Sequence, residues 1–169
     1  DANGNGRGIL KLTGVHQQVL YFGDLNRAIV LEGTPADVGK DATLGFAEPQ
    51  SAGITSAMFT GNYAFGTQHP VTPFVQDFSG EATATGATGT FAATEDITLG
   101  QGGPANIPDV PLNATYLFTP GQNGRATVTI TPQGAAAVHY VFWFISASKG
   151  VGVSADAANT NSAIVSIQQ

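Results

Sequence analysis

The apolar residues of this chain fall in short runs rich in β-branched and aromatic side chains, broken by Gly, Pro and Asn, with almost no helical periodicity. Alternation at period two between turn residues is how strands read. The pattern predicts strands at Gly8–Thr13, Val19–Gly23, Ala28–Glu32, Thr43–Ala47, Gly61–Gly66 and Thr72–Phe78. Further strands are predicted at Thr90–Leu99, Asn113–Phe118, Ala126–Thr131, Val138–Ser146, Val151–Ala155 and Ala163–Gln168. Turn signals separate them: Asn5-Gly6, Gly102-Gly103-Pro104, Pro120-Gly121, Asn123-Gly124 and Pro132-Gln133-Gly134. The small-residue segment Gly80–Gly89 reads as an exposed loop or hairpin tip. Gly100–Pro111, with three prolines, reads as excluded from a sheet, because proline removes a ladder donor.

An internal repeat organises these strands. Asn5-Gly6-Arg7 matches Asn123-Gly124-Arg125, and Gly8–Thr13 matches Ala126–Thr131. Tyr21-Phe22 then falls on Trp143-Phe144, Asn26–Ile29 on Ser148–Val151, and Leu44–Gln50 on Ser162–Gln168. The expected fold is therefore all-β and antiparallel: an eight-strand unit, barrel or sandwich, preceded by a homologous four-strand half-unit. Residues 1–50 form the half-unit, 51–60 a connector and 61–169 the full unit. An isolated half-sheet has two open edges and an uncovered apolar face, so it needs completion by its neighbour or by another molecule.

Val138–Ile145 departs from ordinary half-exposed strands. Val138, Tyr140, Phe142 and Phe144 alternate with Val141, Trp143 and Ile145, so both faces are apolar. One face fills the unit's own core, and the other calls for the half-unit, a ligand or another subunit. Tyr140, Phe142, Trp143 and Phe144, with their repeat counterparts Tyr21 and Phe22, are the candidate interface residues.

Composition narrows the function. Charged residues make up 11% of the chain, against roughly a quarter in an average soluble domain. Such a surface opposes contact between copies only weakly. The net charge is −6, and the six basic residues stand singly along the chain. No clustered basic patch exists for nucleic acid or for an anionic membrane surface. There is no cysteine, hence neither a disulfide framework nor a thiolate metal site. No apolar run approaches the roughly 20 residues of a membrane-spanning helix. Residue 1 is Asp, as expected where a signal peptide has been removed or was never part of the numbering.

Asp1-Ala-Asn-Gly-Asn-Gly-Arg-Gly-Ile-Leu, Ala47-Glu48-Pro49-Gln50 and Phe59-Thr-Gly-Asn-Tyr63-Ala-Phe65-Gly together resemble uncharacterised secreted bacterial β-repeat proteins. Units of those proteins open on Gly-x-Tyr-Ala-Phe and carry an Asn-Gly-x-Gly turn midway. Ala126 departs from the second glycine of that turn. The resemblance spans one full and one partial copy and implies architecture, with no activity to carry over.

Candidate chemistry is sparse. Asp1-x-Asn3-x-Asn5-Gly6 matches the opening of a calcium loop, but Leu12 stands where a bidentate Glu is required, and Asn-Gly before a strand is a standard hairpin turn. The turn reading is preferred, leaving Asp1, Asn3 and Asn5 as the only metal candidates. Glu95 and Asp96 are adjacent and point to opposite faces of a strand, while Glu32, Glu48, Asp77 and Glu81 sit in separate segments. His16, His69 and His139 lack zinc spacing. Neither a Gly-x-Ser-x-Gly elbow nor a phosphate-binding Gly-rich loop occurs. The Asn113-Ala-Thr115 sequon has meaning only in a glycosylating host.

The sequence thus leads to a non-enzymatic protein of the extracellular space or cell surface, without cofactor. Its expected partners are copies of itself, joined through strand edges and apolar strand faces by β-addition. Cell-surface or glycan contact is a further expectation; nucleic-acid binding and membrane insertion are not. The alternative is a closed barrel holding a small apolar ligand or glycan, lined by Trp143, Tyr116 or Phe74. A hydrolase with a dispersed site stands third.

Overall fold

The structure is a computed structural model, and it describes residues 6–11, 17–24, 26–32, 44–68, 76–99, 106–156 and 164–169. The chain is nearly all β, in two compact units divided between Pro49 and Gln50. The first is a four-stranded antiparallel sheet of β1 (Arg7–Lys11), β2 (Gln17–Asp24), β3 (Arg27–Glu32) and β4 (Leu44–Ala47), in sequential order. The second contains β5 (Gly61–Gln68), β6 (Gln76–Thr85), β7 (Thr90–Leu99), β8 (Ile107–Phe118), β9 (Arg125–Pro132), β10 (Val138–Ser146), β11 (Lys149–Ser154) and β12 (Ile164–Gln168). Each strand pairs antiparallel with the next, and β12 pairs back onto β5, so the eight close as an up-and-down barrel. This decides between the barrel and the sandwich.

Alternation sorts the side chains. Tyr63, Ala82, Ala84, Leu112, Ala114, Tyr116, Ala126, Val128, Tyr140, Phe142, Phe144, Val165 and Ile167 are buried inside the barrel. Large rings on some strands face small residues on others. On β11, a Cβ at Gly152 would stand 2.6 Å from the Phe142 ring, so only glycine leaves that ring its place.

Two sequence expectations are corrected. Gly80–Thr85 is strand, not loop: β6 runs to Thr85, and the turn occupies only residues 86–89. Its small residues are strand-forming here because Ala82 and Ala84 lie against the aromatic interior, and a Cβ at Gly80 would strike the Thr94 carbonyl and the Phe65 ring. Residues 72–75 of the predicted Thr72–Phe78 strand lie outside the described residues. Pro108 and Pro111 do sit in a strand, β8. A register shift between Glu95 and Ile97 absorbs Pro108, with Asp109 at φ 56° and its N–H donating to Asp96 Oδ1 at 3.0 Å, while Pro111 pairs with Thr94 one residue ahead of the β8–β9 ladder.

Residues 51–60, expected as a connector, close one end of the barrel. Ile54 and Phe59 are buried in its core around a short 3-10 turn, Ser56–Met58. The Phe59 ring lies 4.4 Å from Tyr63, 5.2 Å from Tyr116 and 4.5 Å from Phe144 between centroids. Tyr116 Oη donates to the Phe59 carbonyl at 3.1 Å. Asn123 clasps the segment from the β8–β9 turn: its Oδ1 accepts from Ile54 N–H at 2.9 Å, and its Nδ2 donates to the Ser51 carbonyl at 2.7 Å.

The repeat is a structural equivalence between β1–β4 and β9–β12. Arg7 stands opposite Tyr21 as Arg125 stands opposite Trp143. Phe22 faces Ala28 as Phe144 faces Gly150, and a register irregularity follows in both ladders at the same place. The fourth strands need a correction. Ala47 pairs with Ala28 as Ile167 pairs with Gly150, so Ala47 corresponds to Ile167, not to Val165 as the ungapped match implied. The connection from Leu31 to Leu44 is two residues longer than that from Val153 to Ile164, which an ungapped match cannot register.

Candidate interaction surface

The barrel interior is filled. Phe118 and Phe144 stack at 5.3 Å, Phe142 and Phe144 at 6.0 Å, and Tyr140 and Phe142 lie 6.2 Å apart. Among the described residues, a cavity of about 30 Å³ lies inside, edged by Phe65, Phe78, Phe91, Glu95 and Phe142. That is room for one or two waters, far below the roughly 300 Å³ of a small-molecule site. Tyr116, named as a ligand-lining residue, is a core residue bonded to Phe59; Phe74 lies outside the described residues. Glu95 is the one buried charged side chain among the described residues, 7% exposed. Burial raises its carboxyl pKa above the ordinary value. The same burial, with the Glu95 and Asp156 charges adding to it, raises the Tyr140 hydroxyl.

Outside, the barrel has two unlike surfaces. Across β6–β9, Thr85, Thr90, Thr115 and Thr129 stand in one cross-strand row. They line a shallow groove of about 370 Å³ with Thr83, Asn113 and Thr131. Across the middle of β10 and β11, between His139 and Lys149, the outward positions are apolar: Trp143 is 45% exposed and lies opposite Val151, and Val153 opposite Val141. Of the four interface candidates on β10, only Trp143 points outward. Tyr140, Phe142 and Phe144 are buried within the barrel, because inward alternation places them against the β5–β8 rings.

The four-stranded sheet repeats the outward pattern. Tyr21 pairs with Ile29, and Val19 with Leu31, at the positions of Trp143 with Val151 and Val141 with Val153. Tyr21, Ile29 and Leu31 are exposed. Phe22, at the place of Phe144, belongs to the opposite face and is 53% exposed. The Arg27 guanidinium lies 4.3 Å from the centroid of Phe46 and 3.9 Å from Glu48 Oε1, covering an aromatic at the β4 edge. Alternation applied to β3 and β11, as it was to β10, would have found Ile29, Leu31, Val151 and Val153.

The calcium-loop candidates Asp1, Asn3 and Asn5 lie outside the described residues, as do His16 and His69. Among the described residues, no group of three or more His, Asp or Glu side chains is placed to hold a metal ion. Asp96 is exposed while Glu95 turns inward, so the adjacent pair does not converge. His139 is exposed and meets Asp156, whose Oδ1 lies 2.7 Å from Nδ1 and whose Oδ2 accepts the His139 backbone N–H at 2.8 Å. That backbone donor first, and the side-chain bond second, hold the Asp156 pKa below the ordinary carboxylate range. The pair fixes the imidazole in solvent at the start of β10.

No protein-family model matches the chain, and no curated protein matches it. Among solved structures, it is similar to a variant of the vaccine antigen transferrin binding protein B from Haemophilus parasuis. That likeness has a TM-score of 0.35 and 10% identity, covering 98% of this chain and 37% of that one. This chain therefore spans little more than a third of that protein, and a likeness at this level establishes no shared function. Among the described residues, no helix is long and apolar enough to cross a membrane.

Proposed function

We propose that this is a non-enzymatic extracellular structural protein whose copies associate through the outward apolar faces of β2–β3 and β10–β11. One observation carries the reading. The same outward positions hold large apolar side chains in both units, Tyr21 and Trp143, Ile29 and Val151, Leu31 and Val153, although water faces all six. A face kept apolar twice, on the barrel beside outer positions that are largely threonine across β6–β9, is a contact face. The aromatic of each set anchors it, and the flanking aliphatics exclude water. The barrel has no open edge, so barrels meet by face; among the described strands, unpaired edges are confined to β1 and β4. The low charge of the chain leaves little repulsion to overcome.

Sedimentation at several concentrations beside negative-stain imaging tests this. Concentration-dependent association, abolished by Trp143→Ser together with Val151→Ser, is the expected result. A chain that stays monomeric into the hundred-micromolar range would sink the reading.

A second reading rests on the threonine groove, whose hydroxyl rows suit a polar ligand such as a glycan. Retention on immobilised glycans, lost on Thr115→Val with Thr129→Val, would favour it. The filled interior argues against a small apolar ligand inside the barrel.

A further inference from the structure

We infer that β1–β4 is the closing half of a second barrel, completed by a four-stranded block of the β5–β8 type carried on the same polypeptide ahead of β1. The inference concerns the inner face of the sheet and stands apart from the outward contact face proposed above.

Three observations lead to it. First, β1–β4 reproduces the closing half β9–β12 in strand order, ladder register and irregularity. In the barrel, the inner face of that half is covered by the Tyr63, Phe65, Phe78, Phe91 and Tyr116 rings of β5–β8. The corresponding face of the half-sheet is an open hollow of about 340 Å³, lined by Leu10, Gln18, Leu20, Val30 and Ala47. Leu10 and Phe22, at the places of buried Val128 and Phe144, are exposed.

Second, the side-chain sizes specify the cover. The inner face of β1–β4 carries Gly8, Ala28, Gly45 and Ala47 beside Leu10, Leu20, Phe22 and Val30. Two such faces laid together would leave the centre underfilled, at a cost for every void. A ring-rich opening half fills it, as in the barrel. Copies of this chain cannot provide that half, since each has two closing halves and one opening half, already closed upon its own β9–β12.

Third, Gly6, just ahead of β1, keeps the geometry of the glycine just ahead of β9. Gly124 ends the β8–β9 turn at φ +66°, and its carbonyl accepts the Phe144 N–H at 2.8 Å. Gly6 has φ +73°, and its carbonyl accepts the Phe22 N–H at 2.8 Å. A left-handed glycine after Asn, in the same bond to the second strand, is the position that Gly124 holds at the end of its hairpin turn, so the proposed first strand would correspond to β8. The cover is therefore linked through that turn, not recruited from another molecule.

The coding sequence ahead of Asp1 is the first test. It should specify a segment of about the length of Gln50–Gln122, opening on an aromatic-rich strand and ending in a hairpin partner for β1; a sequence without alternating strands there overturns the inference. Hydrogen exchange on the encoded longer chain is the second, compared with the 169-residue chain at nanomolar and micromolar concentration. Amides of β1, β2 and β4 should gain at least 100-fold protection in the longer chain, and dye binding to the exposed apolar face should fall away. In the longer chain, Leu20→Arg should erase that protection and Tyr21→Arg should not. Equal protection in both chains, or protection of β1–β4 in the short chain that grows with concentration and is lost on Leu20→Arg but kept on Tyr21→Arg, overturns the inference. Self-association through Trp143 can fail without affecting any of these readouts, so the two readings fall separately.

Discussion

Phe22 donates its backbone N–H to the carbonyl of Gly6 at 2.8 Å, and Phe144 makes the same bond to Gly124 at the same length. Each bond ties the end of a hairpin strand to a left-handed glycine one residue ahead of the neighbouring strand. The two phenylalanines then meet different fates. Phe144 is 2% exposed and stacked among rings, whereas Phe22 is more than half exposed. Local sequence set the backbone in both places; only the second has the opposing strands that bury the side chain.

The glycine of this relationship is replaceable only at high cost. At Gly124 a Cβ would stand 2.5 Å from the Phe144 carbonyl oxygen, and the positive φ strains any other residue. Gly124→Val should destabilise the barrel by more than about 2 kcal/mol, seen as a lower denaturation midpoint with unchanged slope. An unchanged midpoint would show that the turn relaxes freely.

Trp143 and Phe142 are neighbours with opposite orientations, and their substitutions should separate assembly from stability. Phe142→Ala opens a cavity in the barrel and should cost about 3–5 kcal/mol of folding stability. Trp143→Ser removes an exposed anchor and should leave stability within about 0.5 kcal/mol while weakening self-association roughly 30-fold, about 2 kcal/mol. Unfolding curves and sedimentation on the two variants check both halves. Equal loss of stability in the two would place Trp143 in the fold, not in a contact.

Much of this architecture was legible. Alternation along Val138–Ile145 assigned Tyr140, Phe142 and Phe144 to one face and Trp143 to the other, and matching Asn-Gly-Arg turns exposed the repeat. The alternation could not say which face looks inward, so interior rings were grouped with the outward tryptophan as interface candidates. The second half of β6 was hidden because Gly80, Ala82 and Ala84 have little strand propensity of their own; what places them is the space left by rings on neighbouring strands. Pro108 and Pro111 argued against a strand; a bulge gives Pro108 room, and Pro111 stands one residue ahead of the β8–β9 pairing. Ile54 and Phe59 lie in an irregular segment without periodicity, and their burial follows from the shape of the barrel end.

Glu95 should make stability fall as pH rises. Burial lifts its folded pKa above the unfolded value, so the folded state holds its proton more tightly. The stabilisation is fully present below the ordinary carboxylate pKa and is lost as pH climbs through the raised one. Glu95→Gln should flatten that part of the profile and leave the barrel more stable than the parent at neutral pH. Chemical denaturation across pH 4 to 8 measures it, and a parent profile that rises throughout would contradict the assignment.

Asn123 offers the clearest test that residues 50–60 belong to the barrel. Its side chain holds Ser51 and Ile54, and Gln50 Nε2 adds bonds to the Asn123 and Phe144 carbonyls at 3.0 and 2.6 Å. Asn123→Ala removes the two side-chain bonds and leaves the Ile54 N–H without its acceptor, a loss of about 1–3 kcal/mol. The loss should be local. Amides from Ser51 to Phe59 should exchange at least tenfold faster, while those of β6–β8, held by the closed ladder, stay unchanged. Because Phe59 touches Tyr63, Tyr116 and Phe144, loosening the segment also exposes one end of the core, and tyrosine fluorescence should report it. Faster exchange across the whole barrel would instead make this segment an integral part of a single cooperative unit, with Asn123 anchoring all of it.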